Sequence, residues 1–177
     1  MTSRNYVVFS HGQDGEPWGA KIVAMAEVAR RHGYSVESVD YRGIADPAER
    51  VAKLLAACQA LPPPFVLVGS SLGGHLAAAV STQVPTRGMF LLAPAFYMPG
   101  YEQFTPVPAS CPISIVHGWN DDIVPADNSI RYARTYQATL QLIDSDHRLS
   151  DSVPAVCEYF SLFLTRLQAK AEAGAVP

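Results

Sequence analysis

The chain has 177 residues, 49% of them hydrophobic and 16% charged, which suits one packed core and leaves too little length for a second full domain. A formal net charge of -3, without any block of Lys or Arg, argues against a polyanion-binding surface and hence against nucleic acid as a partner. Apolar runs stay short of the roughly 18 residues that a membrane span requires, and the opening MTSRNYVVFS lacks a signal-peptide core, so we expect a cytoplasmic protein with no membrane partner.

In chain order, Tyr6 to Ser10 is a short apolar run ended by His-Gly, as expected of a strand buried on both faces. Trp18, Ile22, Met25, Ala26 and Ala29 then share one helical face, with Arg30 and Arg31 in the last turn and Gly33 as the stop. A strand is expected near Ser35 to Val39. Asp46-Pro47-Ala48-Glu49 has the form of a capping box with proline at the first helical position, and Val51, Leu54, Leu55 and Cys58 continue as an amphipathic stripe. Pro62-Pro63-Pro64 ends it. Phe65 to Val68 reads as a strand, Ser71 to about Gln83 as a helix of small residues, and Met89 to Leu92, Ile113 to Val116 and Leu140 to Ile143 as further strands. Val153, Val156, Cys157, Phe160, Leu164 and Leu167 mark a final amphipathic helix.

This alternation predicts an α/β fold of about six parallel strands with helices on both faces. We expect a single domain over residues 1–168 and a tail at 169–177, where AKAEAGAVP carries no apolar stripe. Ala93 to Cys111 is a long connection rich in proline and aromatics, without clear periodicity.

Gly69-Ser70-Ser71-Leu72-Gly73 matches Gly-x-Ser-x-Gly between a strand and a small-residue helix. A serine there sits on a sharp turn that lifts its hydroxyl clear of the sheet, and the flanking glycines remove side chains that would collide. A purely structural turn or a phosphate-binding loop are the alternatives; neither a Walker lysine nor Gly-x-Gly-x-x-Gly accompanies it. A serine hydroxyl is a weak nucleophile, so it needs a base and a group that fixes the base's tautomer. His117-Gly118-Trp119-Asn120-Asp121-Asp122-Ile123-Val124-Pro125 and Ser145-Asp146-His147 each follow a predicted strand and so fall at the same sheet edge as Ser71. Taken alone, Asp121 and Asp122 read as turn or cap residues, and Asp144 and Asp146 as solvated loop residues, although Asp146 could raise the basicity of His147.

Together these stretches resemble the α/β-hydrolase superfamily, whose members carry His-Gly-x-x-Asp-x-x-Val-Pro for the acid and a short Asp-His or Gly-His stretch for the base, in the chain order Ser, Asp, His. The resemblance covers nearly the whole chain and implies Ser71 as nucleophile, His147 as base and Asp121, in preference to the adjacent Asp122, as the orienting acid. His11-Gly12-Gln13 resembles the family's oxyanion loop and nominates the backbone N–H groups of Gln13 and Leu72. The first strand corresponds to the third of the full family sheet, which implies a minimal α/β-hydrolase fold with no cap domain. Phe96, Tyr97, Met98 and Trp119 become candidates for a substrate pocket, with Tyr101 and Phe104 as further wall; the alternative is that these aromatics are core.

No cofactor is implied. His11, His32, His75 and His117 show no metal-ligand spacing and read as structural or surface histidines, and Cys58, Cys111 and Cys157, an odd number with no Cys-x-x-Cys pair, as small apolar residues. The expected partner is a small acyl substrate: a carboxylic ester or thioester, with a peptide bond as a third option. The reading from another class is a non-catalytic module that binds a small molecule or protein on a hydrolase scaffold. A nucleotide-binding domain would need a phosphate loop after the first strand, which His11-Gly12-Gln13-Asp14-Gly15 does not supply.

Overall fold

Glycine, proline and polar turns cut the apolar runs into six strands: β1 (Tyr6–Ser10), β2 (Ser35–Val39), β3 (Phe65–Ser70), β4 (Thr86–Leu92), β5 (Ile113–Gly118) and β6 (Thr139–Ile143). A computed structural model describes residues 5–173. The strands form one sheet in the order β2-β1-β3-β4-β5-β6, and every pairing is parallel, as the alternation predicts. Between them lie α1 (Ala20–Arg31), α2 (Pro47–Gln59), α3 (Leu72–Ser81) and α4 (Ala126–Tyr136), with α5 (Val153–Ala173) last. Among the described residues the 93–112 connection holds a single turn of 3-10 helix at Glu102–Phe104 and no cap helix.

The helix ends follow their sequence signals. Asp46 accepts the Ala48 N–H at 3.1 Å with Pro47 at the first helical position of α2. At the end of α1, Gly33 adopts φ +80° while Tyr34 and Gly33 donate to the carbonyls of Ala29 and Arg30, a Schellman stop that this glycine makes inexpensive. α5 continues past residue 168 to Ala173, and residues 174–177 lie outside the described part. Trp18 departs from its expected place on the α1 stripe: the helix starts at Ala20 behind the extended Gly19, and the indole is left 45% exposed.

Two apolar layers sandwich the sheet. On one face α1 and α5 pack on Val7, Phe9, Val66, Val68, Phe90, Leu92 and Val116, with Phe160 of α5 against the rings of Phe9 and Phe90 at 6.5 and 5.0 Å. Each such fully buried ring contributes about 1.5–3 kcal/mol. On the other face α2, α3 and α4 cover Val8, Leu67, Met89, Leu91 and Ile115.

Chain direction places the function. Connections leave β1 toward β2 on one side while β3 lies on the other, so the strand order reverses at the β1/β3 boundary. A crevice opens at such a switch point, outside the carboxyl ends of the strands.

Candidate active site

β3 ends at Ser70, and Ser71 takes φ 54° and ψ -120° before α3 begins at Leu72. A left-handed φ on a serine is strained, and close backbone packing imposes it. The Ser71 N–H donates to Leu92 O at 2.9 Å and the Ser71 carbonyl accepts from Ala95 N at 3.0 Å, tying the turn to the end of β4. Glycine is required on both sides: a Cβ on Gly69 would stand 2.3 Å from Gly73 O, and one on Gly73 only 1.9 Å from Ser10 O. The turn therefore presents the Ser71 hydroxyl above the sheet edge, as the motif predicts.

The loops after β5 and β6 lock together beside it. Trp119 N donates to Ile143 O at 2.8 Å and Asn120 N to Ser145 O at 3.0 Å, and a Cβ on Gly118 would meet Ser145 O at 2.1 Å. This close approach sets His147 between two partners: its Nδ1 lies 2.7 Å from Asp121 Oδ2 and its Nε2 3.0 Å from Ser71 Oγ. The structure thus brings Ser71, His147 and Asp121 into one hydrogen-bonded line. Asp122 stays exposed on the rim of the cavity.

The side chain of Asp121 is fully buried and saturated. Its Oδ1 accepts the N–H groups of Ile123 and Val124 at 2.9 and 2.7 Å, and its Oδ2 is shared by His147 and by His117 Nε2 at 2.9 Å. His117, read from the sequence as a structural or surface histidine, is a buried structural one that also reaches the Asp121 carboxylate. Its Nε2 also faces Val124 O at 2.9 Å, so that nitrogen carries the proton and Nδ1 accepts from Ser129 Oγ at 2.7 Å. Burial holds His117 below its ordinary pKa, in keeping with a neutral ring.

A cavity of about 840 Å³ opens over Ser71 and His147 and is lined by His11, Gln13, Lys21, Asp122, Ile123 and Asp146 among others. Gln13 thus stands beside the serine, and Leu72 is the first residue of α3, where an N–H has no partner within the helix. Phe96, Tyr97, Met98 and Trp119 do not line this cavity. Phe96 is fully buried and stacks on Tyr132 at 3.9 Å between centroids, Tyr97 lies under Arg131 at 3.9 Å, Met98 is half-buried and Trp119 is 58% exposed away from it. Of the expected acyl wall, Phe96 and Tyr97 pack instead against α4, where Phe96 stacks on the buried Tyr132, and Tyr101 and Phe104 are exposed.

Asp146 accepts the N–H groups of Arg148 and Leu149 at 3.0 Å each, so it shapes the His147 turn. His75 binds Ala95 O at 3.3 Å beside Phe96. Lys21, unnoticed in the sequence, joins the two sides of the site: its Nζ donates to Arg148 O at 2.8 Å and to Ser70 Oγ at 3.3 Å, and burial lowers its pKa to about 8.

The comparisons with known proteins agree with this architecture. An α/β-superfamily protein from Xanthomonas campestris pv. campestris superposes with a TM-score of 0.85 at 37% identity, covering 92% of this chain and 99% of that one. Est1E from Butyrivibrio proteoclasticus matches with a TM-score of 0.81 at 18% identity, over 94% of this chain and 88% of that one. A lidless a/b serine hydrolase from Xanthomonas campestris gives a TM-score of 0.77 at 16% identity, over 92% and 81%. Among curated proteins, mouse palmitoyl-protein thioesterase ABHD10, mitochondrial, is 24% identical over 82% of this chain and 69% of its own length. The profile of the Alpha/beta hydrolase family spans residues 7–173, and the chain therefore belongs to the α/β-hydrolase family.

Proposed function

We propose that this chain is a serine hydrolase that cleaves carboxylic ester or thioester bonds, with Ser71 as nucleophile, His147 as general base and Asp121 as its orienting acid. The observation that carries this reading is the continuous contact from Asp121 Oδ2 through His147 to Ser71 Oγ, at 2.7 and 3.0 Å, beneath an open cavity. Asp121 holds the His147 proton on Nδ1, which leaves Nε2 free to accept the hydroxyl proton of Ser71. The serine oxygen attacks the acyl carbon, and charge on the carbonyl oxygen is met by the N–H groups of Gln13 and Leu72. His147 then protonates the departing alcohol or thiol. A water deprotonated by the same nitrogen hydrolyses the acyl-serine and returns the proton to Ser71.

An ester with a small acyl group is the first choice, because the cleft is open and no aromatic of the 93–112 segment lines it, Phe96 being stacked on Tyr132 and Tyr101 and Phe104 exposed. Est1E from Butyrivibrio proteoclasticus is known with ferulic acid bound, a precedent on this fold for an aromatic acid. The name of the curated mouse relative supports adding thioesters to the panel.

The test is labelling by a fluorophosphonate probe read by intact mass, on the wild type, Ser71→Ala and His147→Ala, followed by p-nitrophenyl esters and acyl thioesters. A single adduct on Ser71, lost in both variants, is the expected result. A folded wild type that takes no label would overturn the assignment in favour of a binding module.

A further inference from the structure

Arg50 is a guanidinium only 3% exposed, on the inner face of α2. Among the described residues no carboxylate stands within ion-pair distance of it. Burying a charge without a counter-ion costs several kcal/mol, so for stability alone an apolar side chain of similar length would serve as well or better. Its N–H groups go instead to three carbonyls: Nε to Ile44 O at 2.7 Å, Nη1 to Gly12 O at 3.3 Å and Nη2 to Gln13 O at 3.2 Å. Two of these belong to the loop that follows β1.

Gly12 O is crowded with donors. Besides Arg50 it receives the Gly15 N–H at 3.3 Å and His11 Nδ1 at 2.8 Å. The proton on that ring is fixed at Nδ1, because His11 Nε2 accepts the Tyr41 N–H at 3.0 Å. Gly12 O and Gln13 N–H are opposite ends of one planar trans peptide. Three donors on the oxygen therefore fix where the N–H points, which is away from Arg50 and His11. The same peptide adjoins the serine: a Cβ on Gly12 would lie 3.4 Å from Ser71 Cβ and 3.3 Å from Ser70 O, and Gln13 lines the Ser71 cavity. A cation on the carbonyl end also polarises the group and strengthens its N–H as a donor.

We infer that Arg50 is a positioning residue for transition-state stabilisation: it orients and polarises the Gly12–Gln13 peptide so that the Gln13 N–H meets the oxyanion formed when Ser71 attacks. The inference rests on the hydrolase reading above and adds to it a residue outside the Ser71, His147 and Asp121 line. Its signature separates it from a structural role. Stabilisation felt only in the transition state lowers kcat and leaves KM in place, and it weakens in parallel the binding of an analogue that carries the same negative oxygen.

The experiment compares wild type, Arg50→Met and Arg50→Lys for p-nitrophenyl acetate hydrolysis and for inhibition by an alkyl trifluoromethyl ketone, whose adduct with a serine is a tetrahedral oxyanion. Folding is monitored by thermal denaturation, and assays run well below each midpoint. Arg50→Met is expected to lose about 10- to 100-fold in kcat with KM within about twofold, less than the loss of a direct donor. Inhibitor affinity falls by a similar factor. Arg50→Lys, which keeps the charge but can reach fewer of the carbonyls, falls between the two. If Arg50→Met does not fold, Arg50→Lys alone decides by the same split. Folded variants whose kcat and inhibitor affinity stay within about twofold of wild type would overturn the inference while leaving the hydrolase reading intact. A wild type that neither labels at Ser71 nor turns over ester overturns both, and the absent Ser71 adduct identifies that case.

Discussion

Asp121→Asn is the sharpest perturbation of the site because all four partners of this carboxylate are donors. Ile123 N and Val124 N hold Oδ1 at 2.9 and 2.7 Å, and His147 Nδ1 and His117 Nε2 hold Oδ2 at 2.7 and 2.9 Å. Asparagine supplies one acceptor oxygen and one donor amide. The two backbone N–H groups cannot change character, so the oxygen stays with them and the NH2 group faces the two imidazoles. His147 can meet it only by moving its proton to Nε2. That nitrogen then donates to Ser71 and cannot take its proton.

The alternative, N–H against N–H in a fully buried place, costs about 1–3 kcal/mol for each unsatisfied group. Either way the base is disabled, and loss of the orienting acid in this arrangement costs about 10⁴ in kcat, equivalent to roughly 5.5 kcal/mol of barrier. KM should change little, since Asp121 does not line the cavity. Asp122→Asn, on an exposed side chain at the rim, should stay within about threefold of wild type. The assay is kcat and KM with p-nitrophenyl acetate, with circular dichroism to confirm folding and proton NMR to follow the downfield His147 Nδ1–H resonance. Asp121→Asn within tenfold of wild type, or an equal loss in Asp122→Asn, would refute the reasoning.

Two further outcomes follow from the geometry. Burial, the largest cause in each case, holds His11, His75 and His117 below their ordinary pKa. The unfolded chain therefore takes up protons first as pH falls, and stability, full above about pH 6.5, declines below it. Urea midpoints at pH 7.5 and 5.0 test this; an unchanged or higher midpoint at pH 5.0 would contradict it, and His75→Gln should flatten the slope. Gly73→Ala places a Cβ 1.9 Å from Ser10 O and 2.7 Å from His11 O. Because backbone must move to admit it, the expected loss is about 3 kcal/mol or more, read as a lower urea midpoint, and a wild-type midpoint would show that α3 can shift freely from β1.

What was legible in the sequence divides by the kind of interaction involved. Sheet and layers follow from the alternation of apolar runs, since each run is short and punctuated by glycine, proline or polar turn residues. Ser71, Asp121 and His147 are found because a parallel sheet gathers the ends of β3, β5 and β6 on one edge, and because side-chain chemistry at those ends is visible in letters. Trp18 falls outside α1 although it keeps helical spacing with Ile22, because Gly19 between them is extended. The sequence does not separate pocket from core at Phe96, because an aromatic loop near a site reads the same whether its rings face the cleft or, as here, Tyr132.

The residues missed share a different property: their partners are backbone carbonyls or groups distant in sequence, which leave no local pattern. Lys21 reaches Arg148 O, His117 reaches Val124 O and Asp121, and Arg50 reaches the carbonyls of Ile44, Gly12 and Gln13. Arg50 nevertheless leaves one trace. The buried positions of α2 are Arg50, Leu54 and Cys58, spaced by four, so the arginine occupies the first place of the stripe that faces the sheet. A long cation in register with two apolar residues either snorkels its charge to the rim or finds acceptors beneath the helix, and Arg50 does the latter. With β1 next to β3 in the sheet, the carbonyls it meets there are those of the loop beside Ser71. A charged residue in phase with an apolar stripe is thus the sequence signal by which such a support for an oxyanion loop can be sought.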